Sequence, residues 1–243
     1  MKNTEGQNQM KYSVIIPCYN EEQNVDELTA RLERAGREHD IQWILVENGS
    51  TDGTGEYLAR ACAGKERFRI VRVERNQGYG YGLICGMAHA SGDYIGWLHA
   101  DLQVSPEAML QCIRALEASG EKRVLWKGRR MNRSAMDRFF TASMSVLATV
   151  LLGRRLYDIG AIPVLFDRAL LPALDRPPYD FSIETYVYWK ALGSGFTVRR
   201  FPVDMRARRR GVSSWDRGLR SKLKQSAVIM KDLLLIRAGK QVR

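Results

Sequence analysis

Residues 93 to 103 read DYIGWLHADLQ, and the stretch closes on His99, Asp101 and Gln103. Side chains alternate along a strand, so these three share one face while Ala100 and Leu102 point into the packing. An imidazole, a carboxylate and an amide at a strand end suit Mg²⁺ or Mn²⁺ bridging phosphate groups. Two further segments, PCYNEE (17 to 22) and ENGSTDGT (47 to 54), mix carboxylates, amides and an aromatic ring. Tyr19 can flank a base, and Glu21, Glu47 and Asn48 offer donors and acceptors to base edges and ribose hydroxyls. Asp52 with Gly53 reads more strongly as a helix start. The basic runs KGRRMNR (127 to 133) and RARRRGVSSW (206 to 215) can supply arginines to a diphosphate or to a second phosphate.

These groups need a scaffold, and the first half of the chain supplies a regular one. YSVIIP (12 to 17), QWILV (42 to 46), FRIVRV (68 to 73) and DYIGWL (93 to 98) are short β-branched or aromatic runs. Helical patterns begin near Glu21, Asp52, Gly78 and Ser105, with Asn20 and Ser105 as expected caps. The βαβαβαβ order gives a parallel sheet with helices on both faces and ligands beyond the carboxyl ends of the strands. After RVLWK (123 to 127) the pattern changes to a basic loop and a long helix from about Ser134 to Leu152. A strand at IPVLF, a helix at SIETYVYWKALGSG, a strand at FTVRRFPV and a terminal helix from Leu219 follow. The expected organisation is one domain, with a nucleotide-binding half (12–128) and an acceptor-side half (129–243).

The glycines of RNQGYGYGLICGM, including Gly78, Gly80, Gly82 and Gly86, follow the third strand. A dinucleotide fingerprint must follow the first strand of its unit, so an NAD or FAD site is not expected; a turn and a closely packed helix are.

Thirty-eight basic and 27 acidic side chains leave a formal charge of +11, which favours anionic partners. The basic residues are not interleaved with aromatics in an RNA-binding pattern, so nucleic acid is not the expected partner. Cys18, Cys62, Cys85 and Cys112 lack paired metal or redox spacing, pointing to reduced core thiols in a cytoplasmic setting. The polar opening residues hold no apolar stretch of signal-peptide length. FFTASMSVLATVLLG (139 to 153) and the C-terminal helix both fall short of the ~20 apolar residues of a spanning segment, so core helices are expected, with basic flanks that leave binding at a membrane interface open.

Taken in order, SVIIPCYNEE, ENGSTDGT, RNQGYGYGLICGMAHASGD, HADLQVSPE, DIGAIPVLF, FSIETYVYWKALGSGFTVRRFPV and RARRRGVSS resemble the family 2 glycosyltransferases of A-type fold (GT-A). The likeness is to the branch of dolichol-phosphate mannose synthase and the bacterial polyprenyl-phosphate sugar transferases, and it runs from about Tyr12 to Ser214. It implies that Pro17, Tyr19 and Glu21 contact the nucleoside and that Glu47-Asn48 replaces the usual paired aspartates, with Gly78 in the same nucleotide-sugar site. Asp101 and Gln103 match positions that hold the metal and the sugar diphosphate. Arg129, Arg138, Arg208 and Ser213 fall on the phosphate or acceptor side. Three departures stand out: His99 replaces the first acid of the family's Asp-x-Asp, Val212 and Ser214 replace its Glu and Lys, and no membrane helices are expected.

The implied activity is an inverting transfer of sugar from a UDP- or GDP-sugar to a polyprenyl phosphate at the cytoplasmic face of an anionic membrane, with Mg²⁺ or Mn²⁺. Transfer to a soluble or lipid-linked glycan, or a catalytically weak sugar-nucleotide-binding homologue, are the alternatives. A hydroxyl acceptor needs a base, for which Glu184 is the nominee beside Asp101 and Arg208 as catalytic residues; otherwise Glu184 is a helix-surface glutamate.

Overall fold

A computed structural model describes residues 11–132, 134–205 and 219–243, and the side chains of 219–226 are left aside. β1 (Tyr12–Cys18) is buried on both faces, as its apolar run requires in the middle of a parallel sheet. It pairs in parallel with β2 (Ile41–Asn48) on one side and β4 (Tyr94–Trp97) on the other, and β3 (Phe68–Val73) extends the sheet beyond β2. The second half enters the same sheet. β6 (Val164–Asp167) runs antiparallel between β4 and β5 (Val124–Arg130), and β7 (Thr197–Val203) lies parallel to β5, giving the order β3-β2-β1-β4-β6-β5-β7. Trp43, Trp97, Phe166, Ile15 and Ile16 are fully buried along the sheet.

The crossovers are helical: α1 (Glu22–Ala35), α2 (Thr54–Cys62), α3 (Tyr79–Met87) and α4 (Pro106–Ser119). α4 starts at Ser105 with proline in its first turn and ends on Gly120 at φ 61°, the left-handed terminus that glycine adopts without strain. Asn20 does not cap α1 as expected. It takes φ 55°, and its side-chain carbonyl accepts from the Thr51 N–H at 2.9 Å, tying the β1 turn to the β2 turn. The starts of α1 and α2 then satisfy each other: Glu22 Oε2 accepts from the Gly53 N–H, and Asp52 Oδ2 from the Glu22 N–H. These orphan helix-start donors are met by carboxylates, which the dipoles favour.

The other helices are α5 (Ala135–Leu152), α6 (Ile183–Gly193) and α7 (Leu219–Arg237). Ser134 Oγ accepts from the Asp137 N–H at 3.1 Å and starts α5. The expectation of a core helix fails here. Only 17% of α5 is buried, and by length and composition it is apolar enough to cross a membrane, at about 27 Å for 18 residues. Met136, Phe139, Val146 and Val150, a stripe at helical spacing, all face outward. α7 packs alongside α5. The free thiols Cys18 and Cys112 are buried, which pushes both well above the ordinary thiol range.

Candidate active site

The carboxyl ends of β1, β2 and β4 open into one cleft of about 520 Å³. Pro17, Tyr19, Glu21, Asn48, Gly78, His99 and Asp101, all read from the sequence as site residues, line it. Asn76, Tyr79, Asp180 and Phe181 line it as well and were missed. Tyr19 stands 46% exposed at the mouth, an uncommitted ring surface beside the polar wall.

Backbone geometry explains the glycines. A Cβ on Gly78, which has φ 117°, would come within 2.2 Å of the Tyr179 carbonyl oxygen, and one on Gly80 within 2.2 Å of that of Pro178. The start of α3 therefore lies directly against a strap, residues 177 to 182, that forms the far wall; the Tyr81 N–H donates to the Tyr179 carbonyl at 3.0 Å. Asn48 fastens the near side, donating Nδ2–H to the Gly78 carbonyl at 3.1 Å, while Asn76 donates to the Asn48 carbonyl at 2.8 Å.

The strand alternation expected through Gln103 stops early. β4 ends at Trp97, and Leu102 turns to φ 57° with its side chain buried. Asp101 is 5% exposed, and its Oδ1 accepts from the Gln103 N–H at 3.0 Å, closing a tight turn. Gln103 thus meets Asp101 through its backbone, and it is absent from the cleft lining. Glu47 is absent too: its carboxylate accepts from the Ser50 N–H at 2.7 Å and holds the β2 turn.

Glu184 is not the surface glutamate of the alternative reading. It is 3% exposed at the start of α6, behind the cleft wall. Lys127 Nζ lies 3.1 Å from its Oε2, and Oε1 accepts from Trp97 Nε1–H at 2.6 Å and from the Tyr79 hydroxyl at 3.1 Å. Burial pulls the Lys127 ammonium below its usual range, against the pull of Glu184. A lysine within the apolar strand VLWKG, on the same side as buried Leu125, was the one sequence sign of this pair.

Arginines divide by role. Arg129 and Arg138 are exposed and outside the cleft lining. Arg130 instead pairs with buried Asp158, its Nε 2.9 Å from Oδ1, and Arg200 donates to the Gly128 and Asp158 carbonyls. Burial would raise the Asp158 carboxyl, but the Arg130 guanidinium holds it below the ordinary range. Arg208 and Ser213 lie outside the described residues.

Among the described residues no three His, Cys, Asp or Glu groups cluster as a metal cage. His99 and Asp101 both line the cleft, and among the described residues His99 Nδ1 has no hydrogen-bond partner. One imidazole and one carboxylate fit a divalent cation whose remaining ligands come from phosphates and water.

Comparison with known proteins agrees with this arrangement. The sequence profile of glycosyl transferase family 2 matches residues 13–153. The undecaprenyl-phosphate 4-deoxy-4-formamido-L-arabinose transferase of Klebsiella pneumoniae is 32% identical over 174 residues, covering 68% of this chain and 51% of that protein. The dolichol-phosphate mannosyltransferase of Pyrococcus furiosus is 35% identical over 108 residues, 44% of this chain and 30% of the relative. The chain thus spans about half or less of the curated relatives it matches. Glucosyl-3-phosphoglycerate synthase from Mycobacterium tuberculosis, solved with Mn²⁺, UDP and phosphoglyceric acid, superposes with a TM-score of 0.68 at 19% identity over 95% of this chain and 79% of that one. A UDP complex of the same enzyme gives 0.69 at 20% identity over 98% and 87%. The fold is that of the A-type glycosyltransferases, and the chain belongs to glycosyl transferase family 2.

Proposed function

We propose that the protein transfers a sugar from a nucleoside diphosphate sugar to a polyprenyl phosphate, with inversion, at the surface of an anionic membrane on the cytoplasmic side. The observation that carries the donor half is the cleft where Tyr19, Asn48, His99 and Asp101 converge beyond the carboxyl ends of β1, β2 and β4. Tyr19 flanks the base, Glu21 and Asn48 offer polar partners to the nucleoside, and His99 with Asp101 faces the diphosphate. His99 and Asp101 would hold a divalent cation, which would supply positive charge to the departing diphosphate.

The state of Glu184 supports a phosphate acceptor. A hydroxyl acceptor needs an accessible base, and this carboxylate is buried and engaged by Lys127, Trp97 and Tyr79. A phosphate acceptor is already ionised near neutral pH and asks for none. The outward stripe of α5, with the exposed Val228, Met230 and Leu234 of α7, gives the acceptor's lipid a surface on which to arrive. Exposed Arg155, Lys231 and Arg237 near those helix ends favour anionic headgroups.

The test is thermal stabilisation by UDP, GDP, CDP and dTDP with and without Mn²⁺, since a ligand of the folded state raises the melting temperature by mass action. One nucleotide standing out, with its metal dependence lost in Asp101→Ala, is the expected result. Indifference to all four would sink the donor reading.

A further inference from the structure

His99 Nε2 lies 3.1 Å from the Tyr79 hydroxyl oxygen. That oxygen lies 3.1 Å from Glu184 Oε1, and an ionised carboxylate only accepts. The single phenolic proton is therefore committed to Glu184, which Lys127 and Trp97 hold in place through its other contacts. Toward His99 the hydroxyl has only lone pairs left. The hydrogen between them must belong to Nε2, and in a neutral imidazole the other nitrogen is then a lone-pair acceptor. Packing limits rotation of the ring: His99 stands edge-on to Tyr79 at 5.1 Å and 86°, and Tyr79 is stacked on Phe181 at 4.4 Å and 8°.

We propose that Glu184, acting through Tyr79, fixes His99 as the Nε2–H tautomer, and that the Nδ1 lone pair, which no described residue engages, makes the cleft select a first-row transition cation such as Mn²⁺ over Mg²⁺. The proposal rests on the reading of the cleft as a metal-dependent nucleoside diphosphate site. Its chemistry is simple. Mg²⁺ takes oxygen ligands and dehydrates reluctantly, whereas imidazole nitrogen suits transition metals. A carboxylate at position 99 would serve both cations, so the histidine is the discriminating group. Tyr79 and Glu184 are positioning residues in this scheme: they act on the cation through His99 by setting which nitrogen is offered.

The experiment combines two readouts on the full chain. Nitrogen-15 NMR of histidine-labelled, metal-free protein at pH 8 identifies the tautomer, with His99→Asp assigning the signal. Paramagnetic resonance titration then measures Mn²⁺ affinity, and Mg²⁺ by competition, in the presence of UDP and GDP. The wild type is expected to show the Nε2–H form, nitrogen coupling to bound Mn²⁺, and a preference for Mn²⁺ that falls at least about tenfold in His99→Asp, the scale of a changed ligand shell. Tyr79→Phe is expected to weaken Mn²⁺ by roughly 10- to 100-fold, the usual cost of losing an outer-shell partner. An Nδ1–H signal, or Mn²⁺ that binds through Asp101 with a preference unchanged in His99→Asp, overturns the inference and leaves the donor site standing. Nucleotide binding that ignores metal in every protein overturns both.

Discussion

Trp97 Nε1–H donates to Glu184 Oε1 at 2.6 Å, joining the last residue of β4 to the first turn of α6 across 87 positions of sequence. The strand that delivers His99 and Asp101 to the cleft is thereby pinned to the helix behind it. Lys127 completes the join from β5, so one carboxylate sets the relative position of three elements.

Breaking that join should be expensive. Removing one partner of a buried ion pair leaves an uncompensated charge, so Lys127→Met is expected to cost about 3–5 kcal/mol in urea unfolding. The double variant Lys127→Met with Glu184→Leu should recover part of this loss, because the stranded charge is gone. Additive losses would show that the two side chains do not act as a pair.

Gly80 offers a steric test of the cleft wall. In Gly80→Ala the new Cβ meets the Pro178 carbonyl oxygen at 2.2 Å and the Asp180 carbonyl oxygen at 2.7 Å, so α3 and the strap must part. A stability loss of roughly 1–3 kcal/mol, typical of overpacking, and weaker nucleotide stabilisation are expected. Gly160→Ala, with nothing within 4 Å of the added carbon, is the neutral control.

Asp232 on α7 gives a pH dependence. Burial, with Asp180 of the strap beside it, pushes its carboxyl up to about 7, and its buried Oδ2 has no hydrogen-bond partner among the described residues. A raised acid binds its proton more tightly in the folded state. Its stabilising effect is therefore complete below the unfolded carboxylate range near 4 and is lost as pH rises through about 7. Hydrogen exchange of α7 should quicken between pH 6 and 8 in the wild type, and Asp232→Asn should flatten that dependence. An equally steep profile in the variant would assign the titration elsewhere.

The proposed membrane contact can be separated from the proposed donor binding. Phe139 and Val150 are 66% and 71% exposed on α5 and are not among the residues lining the cleft. Phe139→Glu with Val150→Glu should abolish sedimentation with anionic liposomes at low salt and leave nucleotide stabilisation intact. Persistent sedimentation would move the contact off this stripe.

The alternating first half was legible because each strand carries its own apolar run and each helix its own start. Local pattern does not carry direction, however, so the antiparallel course of β6 between β4 and β5 appears only in the assembled sheet. The cleft was readable where side chains sit at strand ends, as with Pro17, Tyr19, Asn48, His99 and Asp101. It failed at Gln103 because the strand period was carried past Trp97 into a turn. For Glu184 the sequence left a base and a surface glutamate open, because its charged partner, Lys127, is 57 residues away. For α5, composition could not say which way the apolar stripe faces; the packing of α7 on one side leaves Phe139 and Val150 on the other.

The strap at 177 to 182 has a second set of moorings. The Tyr179 N–H donates to the Val242 carbonyl at 3.1 Å, Gln241 Nε2–H to the Pro177 carbonyl at 2.7 Å, and Asp180 faces Asp232. The segment that walls the cleft is therefore tethered to the same C-terminal stretch whose helix lies against α5. The strap is thus held from both sides, by the start of α3 and by the C-terminal stretch that follows α7, so a displacement of α7 would bear directly on the wall of the cleft.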